Sequence, residues 1–139
     1  MKTMKLSTFL LGAGFVLALS SGTASAQEKP KGKEWKAPEA AAKVKSPVKA
    51  DDAAAIKGGK ELYGQHCKSC HGLKGKGDGT KAEKIEILCG DFTSKEFKDL
   101  TDGTIYWKTT EGRKPMPSFK EKLSDSERWQ VIAYLRTLN

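Results

Sequence analysis

Cys67-Lys68-Ser69-Cys70-His71 concentrates the side chains of this sequence that can bond to metals and electrophiles. A C-x-x-C-H run is the attachment signal for a c-type haem: each thiol adds to one vinyl group, and the adjacent imidazole lies under the iron. The chain holds only three cysteines and two histidines, so composition does not explain their clustering here. A zinc site would draw on the same side chains but needs about four ligands. Beyond this run and His66, only Cys89 is left to supply one.

With His71 on one side of an iron, the other side takes a distal residue, a water or nothing. Of the methionines Met1, Met4 and Met116, only Met116 lies beyond the N-terminal leader-like stretch. It stands in Pro115-Met116-Pro117, outside any apolar stripe. Each proline fixes its own φ and restricts the residue before it, which would keep a weak thioether ligand in place. Methionine's ordinary use is to fill gaps in a core, but this polar setting favours ligation. His66 competes for the same position, yet it immediately precedes Cys67 and is tied to the attachment helix on the haem-edge side. His/Met ligation raises the reduction potential relative to two histidines and fills the coordination sphere. Such an iron accepts and releases one electron without binding substrate, and no enzymatic activity is expected.

The elements that must position these residues are helical. Ala55, Ile56, Gly59, Leu62, Tyr63 and His66 recur at helical spacing between Asp52 and His66 and deliver Cys67 at the helix end. Gly58 and Gly59 inside that helix cost roughly 1 kcal/mol each relative to alanine, which predicts close approach of a second helix. Ser124-Asp125-Ser126-Glu127 reads as a capping box. The stripe that follows it, Val131, Ile132, Tyr134, Leu135 and Leu138, is the expected mate of the glycine face. Shorter helices are predicted near Lys81 to Leu88, Ser94 to Leu100 and Asp102 to Thr110, and no strand alternation persists beyond a few residues. The fold class is therefore all-α. A phosphate-loop reading of Gly75-Lys76-Gly77-Asp78-Gly79 fails, because no strand precedes it and no Gly-Lys-Ser/Thr element follows; a chain reversal over Gly72 to Gly79 is expected instead.

Residues 1–26 read as a signal peptide, with Lys2 and Lys5 ahead of an apolar stretch from Leu6 to Leu19 and a small-residue cleavage site at Ala24-Ser25-Ala26. The apolar stretch is shorter than the roughly 20 residues of a membrane span, so cleavage before Gln27 is expected over a retained anchor. Glutamine at 27 offers no thiol for a lipid. A periplasmic or otherwise exported product follows, in a compartment where disulfides also persist.

Residues 27–50 are rich in Lys, Ala and Pro with Trp35 as the one large aromatic side chain, a composition that predicts a disordered tail or linker. Residues 51–139 suffice for one small domain, marginally stable without the apolar bulk of a haem. The net charge of +8 divides into +2 for 1–26, +4 for 27–50 and +2 for 51–139. Nucleic-acid binding wants a basic face on a folded module, and the folded part lacks that excess.

The chain resembles the class I cytochromes c of the small bacterial mono-haem type. The resemblance is carried by Gly59, Tyr63, Cys67-x-x-Cys70-His71, Gly75-Lys-Gly-Asp-Gly79, Asp102-Gly103, Gly112, Met116-Pro117 and Trp129-Gln-Val-Ile-Ala-Tyr134-Leu-Arg. It implies crossed N- and C-terminal helices around one covalent haem c, with Gly59 and Tyr63 against Val131 and Tyr134. Cys67 and Cys70 would form the thioethers, His71 the proximal iron bond and Met116 the distal one, with Leu73 and Pro115 nearby. Tyr106, Trp107 and Arg113 are candidates to face the propionates, a core role being equally open to the two aromatics.

Cys89 departs from that pattern. It is expected to be buried within Ile85 to Cys89, the alternatives being a covalent dimer or a reactive thiol. The expected partners are redox proteins, a donor and an acceptor, met by a monomer without a membrane span once the leader is removed. Lys68, Lys74, Lys114, Lys120 and Lys122 would steer acidic partners, though an ordinary solvated surface explains them too. Two other readings stay open: a haem enzyme or sensor with a displaceable sixth ligand, and a haem subunit tethered to a larger redox complex through 27–50.

Overall fold

The computed structural model describes residues 30–139, so the expected leader at 1–26 and the start at Gln27 lie outside the described residues. Its helices are α1 (Glu39–Ala42), α2 (Ala53–His66), α3 (Lys68–His71), α4 (Lys95–Lys98), α5 (Asp102–Glu111) and α6 (Asp125–Leu135), with one 3-10 turn at Ala82–Lys84. Among the described residues there is no strand, only an isolated bridge between Arg113 and Met116. None of the described helices is long and apolar enough to cross a membrane.

The two long helices start where their side chains say they should. The Asp52 carboxylate accepts from the Ala55 amide at 2.9 Å, supplying a partner for one of the four amides that a helix start leaves open. Ser124 and Glu127 form the reciprocal capping box, with the Ser124 amide donating to Glu127 Oε2 at 2.8 Å and the Glu127 amide donating to Ser124 Oγ at 3.3 Å.

Helix α2 packs chiefly against α6, and the crossing point is Gly59, where a Cβ would overlap the Gln130 carbonyl. Tyr63 lies one turn further on, its ring 5.3 Å from that of Tyr134. Among the described residues Tyr63, Val131 and Ile132 are the large side chains buried most deeply, and Ile105, Phe119, Leu123, Trp129, Tyr134 and Leu135 complete the same cluster. At Gly58 a Cβ would meet only the Gln130 amide group, at 2.7 Å, the mobile end of a side chain.

The two neighbouring glycines should therefore respond oppositely. Gly59→Ala is expected to cost about 1–3 kcal/mol, because backbone must move to relieve the overlap. In Gly58→Ala the gain in helix propensity offsets the shift of one side chain, and the variant should be near neutral. Equal denaturation midpoints for the two variants would contradict this account of the crossing.

Two expectations need correcting. The helix predicted over Lys81 to Leu88 is reduced to the 3-10 turn, after which Ile85 is extended at φ −103°, ψ 128°. Ile85, Ile87 and Cys89 are half-buried while Glu86, Leu88 and Gly90 are exposed, a spacing of two that belongs to extended chain. Nor are residues 30–50 a disordered tail. The Leu88 amide donates to the Pro30 carbonyl at 3.2 Å, and Thr101 Oγ1 donates to the Ala42 carbonyl at 2.8 Å. The Trp35 ring sits 6.1 Å from that of Trp107. Composition weighs apolar side chains, whereas this segment is held by its own carbonyls, one indole and Val48, which packs against the core.

Candidate functional site

Helix α2 hands the chain to α3 at Cys67, whose carbonyl accepts from the amides of Cys70 at 3.1 Å and His71 at 3.0 Å. That single turn sets Cys67, Cys70 and His71 at i, i+3 and i+4, on one face. None of the chain's cysteines is in a disulfide, so the two thiols stand side by side and unbridged. Cys67 packs against the core cluster. Burial, and secondarily the neighbouring Cys70, push its thiol up to about 12.

A short helix needs outside partners for its last carbonyls, and the loop over 72–81 supplies them. The amides of Lys81, Gly79 and Gly77 donate to the carbonyls of Ser69, Cys70 and His71 at 2.7, 3.1 and 2.9 Å. Gly79 approaches so closely that a Cβ would overlap the Ser69 and Cys70 backbone, and Gly77 takes φ +78°. Such a conformation favours glycine. The buried Tyr63 hydroxyl donates to the Gly72 carbonyl at 2.6 Å, tying this loop to α2.

His71 is fixed by two residues that spacing did not reveal. Its ring stacks on Phe92 with centroids 4.4 Å apart and an interplanar angle of 25°. Its Nδ1 lies 3.3 Å from the Gly90 carbonyl, and donation from Nδ1–H to that oxygen leaves Nε2 free as a metal ligand. Burial holds the imidazole below the usual histidine range, against a smaller opposing effect of the Gly90 bond. The ring is thus neutral at neutral pH, as ligation requires.

Met116 closes a four-residue reversal. The Arg113 amide donates to the Met116 carbonyl at 3.0 Å and the Met116 amide to the Arg113 carbonyl at 2.9 Å, around a cis Lys114–Pro115 peptide. The thioether side chain is half-buried against the same cluster that Cys67 meets. Ser118 Oγ donates to the Thr110 carbonyl at 2.6 Å, and the Phe119 amide reaches the Thr109 and Thr110 carbonyls, so the turn is anchored to the end of α5. The clamp is therefore a hydrogen-bonded loop as well as a pair of prolines.

The other candidates are placed as follows. His66 is exposed and edge-on to Phe119, with ring centroids 6.1 Å apart. Arg113 Nη1 donates to the Lys33 carbonyl at 2.7 Å, so the guanidinium is engaged by the N-terminal segment. Tyr106 stacks on Trp129 at 4.2 Å and donates to Asp125 at 2.8 Å while accepting from Arg128, a structural role at the start of α6. Leu73 and Pro115 are exposed, as are Lys68, Lys74, Lys114, Lys120 and Lys122. Cys89 is half-buried, its carbonyl close over Gly77.

Among the described residues no group of three or more His, Cys, Asp and Glu is placed to hold a bare metal ion. The donor set does fit a covalent haem: two unbridged thiols on one face, a neutral imidazole with one nitrogen held and one free, and a thioether beside the same apolar cluster.

Residues 54–135 match the family described as cytochrome c oxidase, cbb3-type, subunit III. No curated protein matches the sequence. Among solved structures, the chain is similar to one in the reducing HAO-like protein complex Kustc0457/Kustc0458 of Kuenenia stuttgartiensis, at 35% identity and a TM-score of 0.59 over 66% of this chain and 46% of that one. The sequence thus spans about half the length of that relative. It is also similar to the KustC0563 c-type cytochrome, at 31% identity and a TM-score of 0.51 over 58% of this chain and 96% of that one. The fold is accordingly helical and cytochrome c-like.

Proposed function

The chain belongs to the family described as cytochrome c oxidase, cbb3-type, subunit III, and on that premise we propose that it is an exported carrier of single electrons between redox proteins, with one haem c held by Cys67 and Cys70 and no catalytic activity of its own. The family implies a covalently bound haem c, whose iron supplies a one-electron couple. The residues do the rest. His71 offers Nε2 from a ring oriented by Gly90 and Phe92, and Met116 offers a thioether from a turn closed by its own backbone.

One observation supports this reading above the others: Met116, which packs against the same apolar cluster as Cys67, lies on a loop pinned to α5 and not on a free tip. A pinned thioether would keep a bound haem iron's remaining position filled, which would suit electron transfer and exclude substrate. The test is the spectrum of the oxidised protein with added azide. The weak far-red band of thioether-bound ferric haem, persisting in azide, is the expected result. A high-spin spectrum that shifts on adding azide would replace the carrier with an enzyme or sensor.

A second reading has its own support. The family is named for an oxidase subunit and a structural relative sits in a complex, so the carrier could work as the haem subunit of a larger assembly, meeting donor and acceptor at the haem edge. The exposed lysines around the attachment and Met116 loops suit acidic partners.

A further inference from the structure

The segment that begins at Pro30 is joined both to the stretch whose Gly90 carbonyl orients His71 and to the loop that carries Met116. On one side the Pro30 carbonyl takes the Leu88 amide at 3.2 Å, two residues before the Gly90 carbonyl that orients His71. A Cβ on Gly32 would already stand 3.2 Å from Ile87 Cδ1, so the segment runs close along that extended stretch.

On the other side it holds Arg113. Arg113 Nη1 donates to the carbonyls of Lys33 at 2.7 Å and Glu34 at 3.3 Å, and the guanidinium lies over the Trp35 ring at 4.8 Å from its centroid. The backbone of this same arginine makes both hydrogen bonds that close the Met116 turn. Trp35 is braced in return by Trp107 at 6.1 Å and by the Lys108 ammonium at 5.6 Å. Burial, and then the nearby Arg113, hold that ammonium below the usual lysine range, as expected where two cations share one ring. A cation over an indole contributes most when partly desolvated, and Trp35 is half-buried.

We propose that residues 30–36 form a strap across the extended stretch that orients His71 and the Met116 turn, in which Trp35 is a positioning residue that acts through Arg113 to hold the Met116 turn against the haem. The ligand role of Met116 is taken from the function proposed above; the restraint on the turn stands apart from it. Without the strap, Arg113 loses its ring and two carbonyl partners, and the turn opens more often by local unfolding.

In the haem-loaded full chain, Trp35→Ala should speed hydrogen exchange at the Arg113 and Met116 amides about tenfold, with α2 and α6 unchanged. It should also lower about tenfold the imidazole concentration that displaces the thioether, read from the far-red band. Trp35→Phe keeps a ring face under the guanidinium and should restore most of both effects. Arg113→Lys keeps the charge but loses the fork to two carbonyls, and should behave like Trp35→Ala.

Unchanged exchange at the two amides, or an equal rise throughout the domain, would overturn the strap. Faster local exchange with unaltered imidazole displacement would overturn its action on the ligand. Exchange does not depend on what binds the iron. A wild-type protein without the far-red band would therefore count against Met116 ligation while the strap is still judged by its amides.

Discussion

Replacing Cys67 and Cys70 together by alanine is expected to yield a chain that retains no haem on denaturation and no longer melts cooperatively. The candidate thioether positions lie within one turn of α3 and at the margin of the main apolar cluster, where Cys67 packs. A domain of this size buries roughly 60–70% of the surface its unfolded chain exposes, and small domains of this kind gain from staples or cofactors.

Phe92 joins the attachment turn to the core: it stacks on His71, lies edge-on to Tyr63 and meets Phe97 at 4.7 Å. Losing a covalent group that binds only the folded state should lower stability by several kcal/mol, on the order of what removing a native disulfide costs a small exported domain. Haem staining after gel electrophoresis and a calorimetric scan provide the check. A double variant with the wild-type melting transition would show that the protein core suffices, and would remove the premise that haem completes it.

Met116→Ala should have the second-largest effect, and it should separate function from folding. The turn is closed by the Arg113 and Met116 backbones and anchored through Ser118 and Phe119, none of which the substitution touches. Truncating one half-buried side chain should cost only about 1–3 kcal/mol. The electronic effect should be much larger. Loss of the thioether exposes the sixth position, abolishes the far-red band and lets azide bind. The reduction potential should fall by on the order of 0.1 V or more, within the ~0.8 V range that axial ligands span.

Potentiometric titration alongside the ferric spectrum reads both outcomes. If the band and the potential survive, another side chain holds the iron, and His66, whose ring lies against Phe119, is the first to replace. If the band vanishes and the protein also fails to fold, the turn depends on ligation, contrary to the hydrogen bonds described for it.

Much of this protein was legible in its sequence because its signals are local. A C-x-x-C-H run states its chemistry by residue type. Asp52 and the Ser124–Glu127 box mark helix starts within a turn of themselves. Gly59 could be matched to the α6 stripe because only a missing side chain lets two backbones meet. Periodicity failed at Ile85 to Cys89, where alternation over five residues was too brief to set against a helical pattern, and composition failed at 30–50, where Trp35 and Val48 are too few to register.

What the sequence by itself determined is the candidate donor set, Cys67, Cys70, His71 and Met116, together with the pair of helices that crosses behind it. The tertiary structure alone decided what fixes those donors. The carbonyl that orients His71 belongs to Gly90, the amides that finish α3 belong to Gly77, Gly79 and Lys81, and the carbonyls that occupy Arg113 belong to Lys33 and Glu34. Each of these is a backbone group, which every residue carries alike. Its partner is chosen by where the chain passes in space, and residue type and spacing hold no record of that.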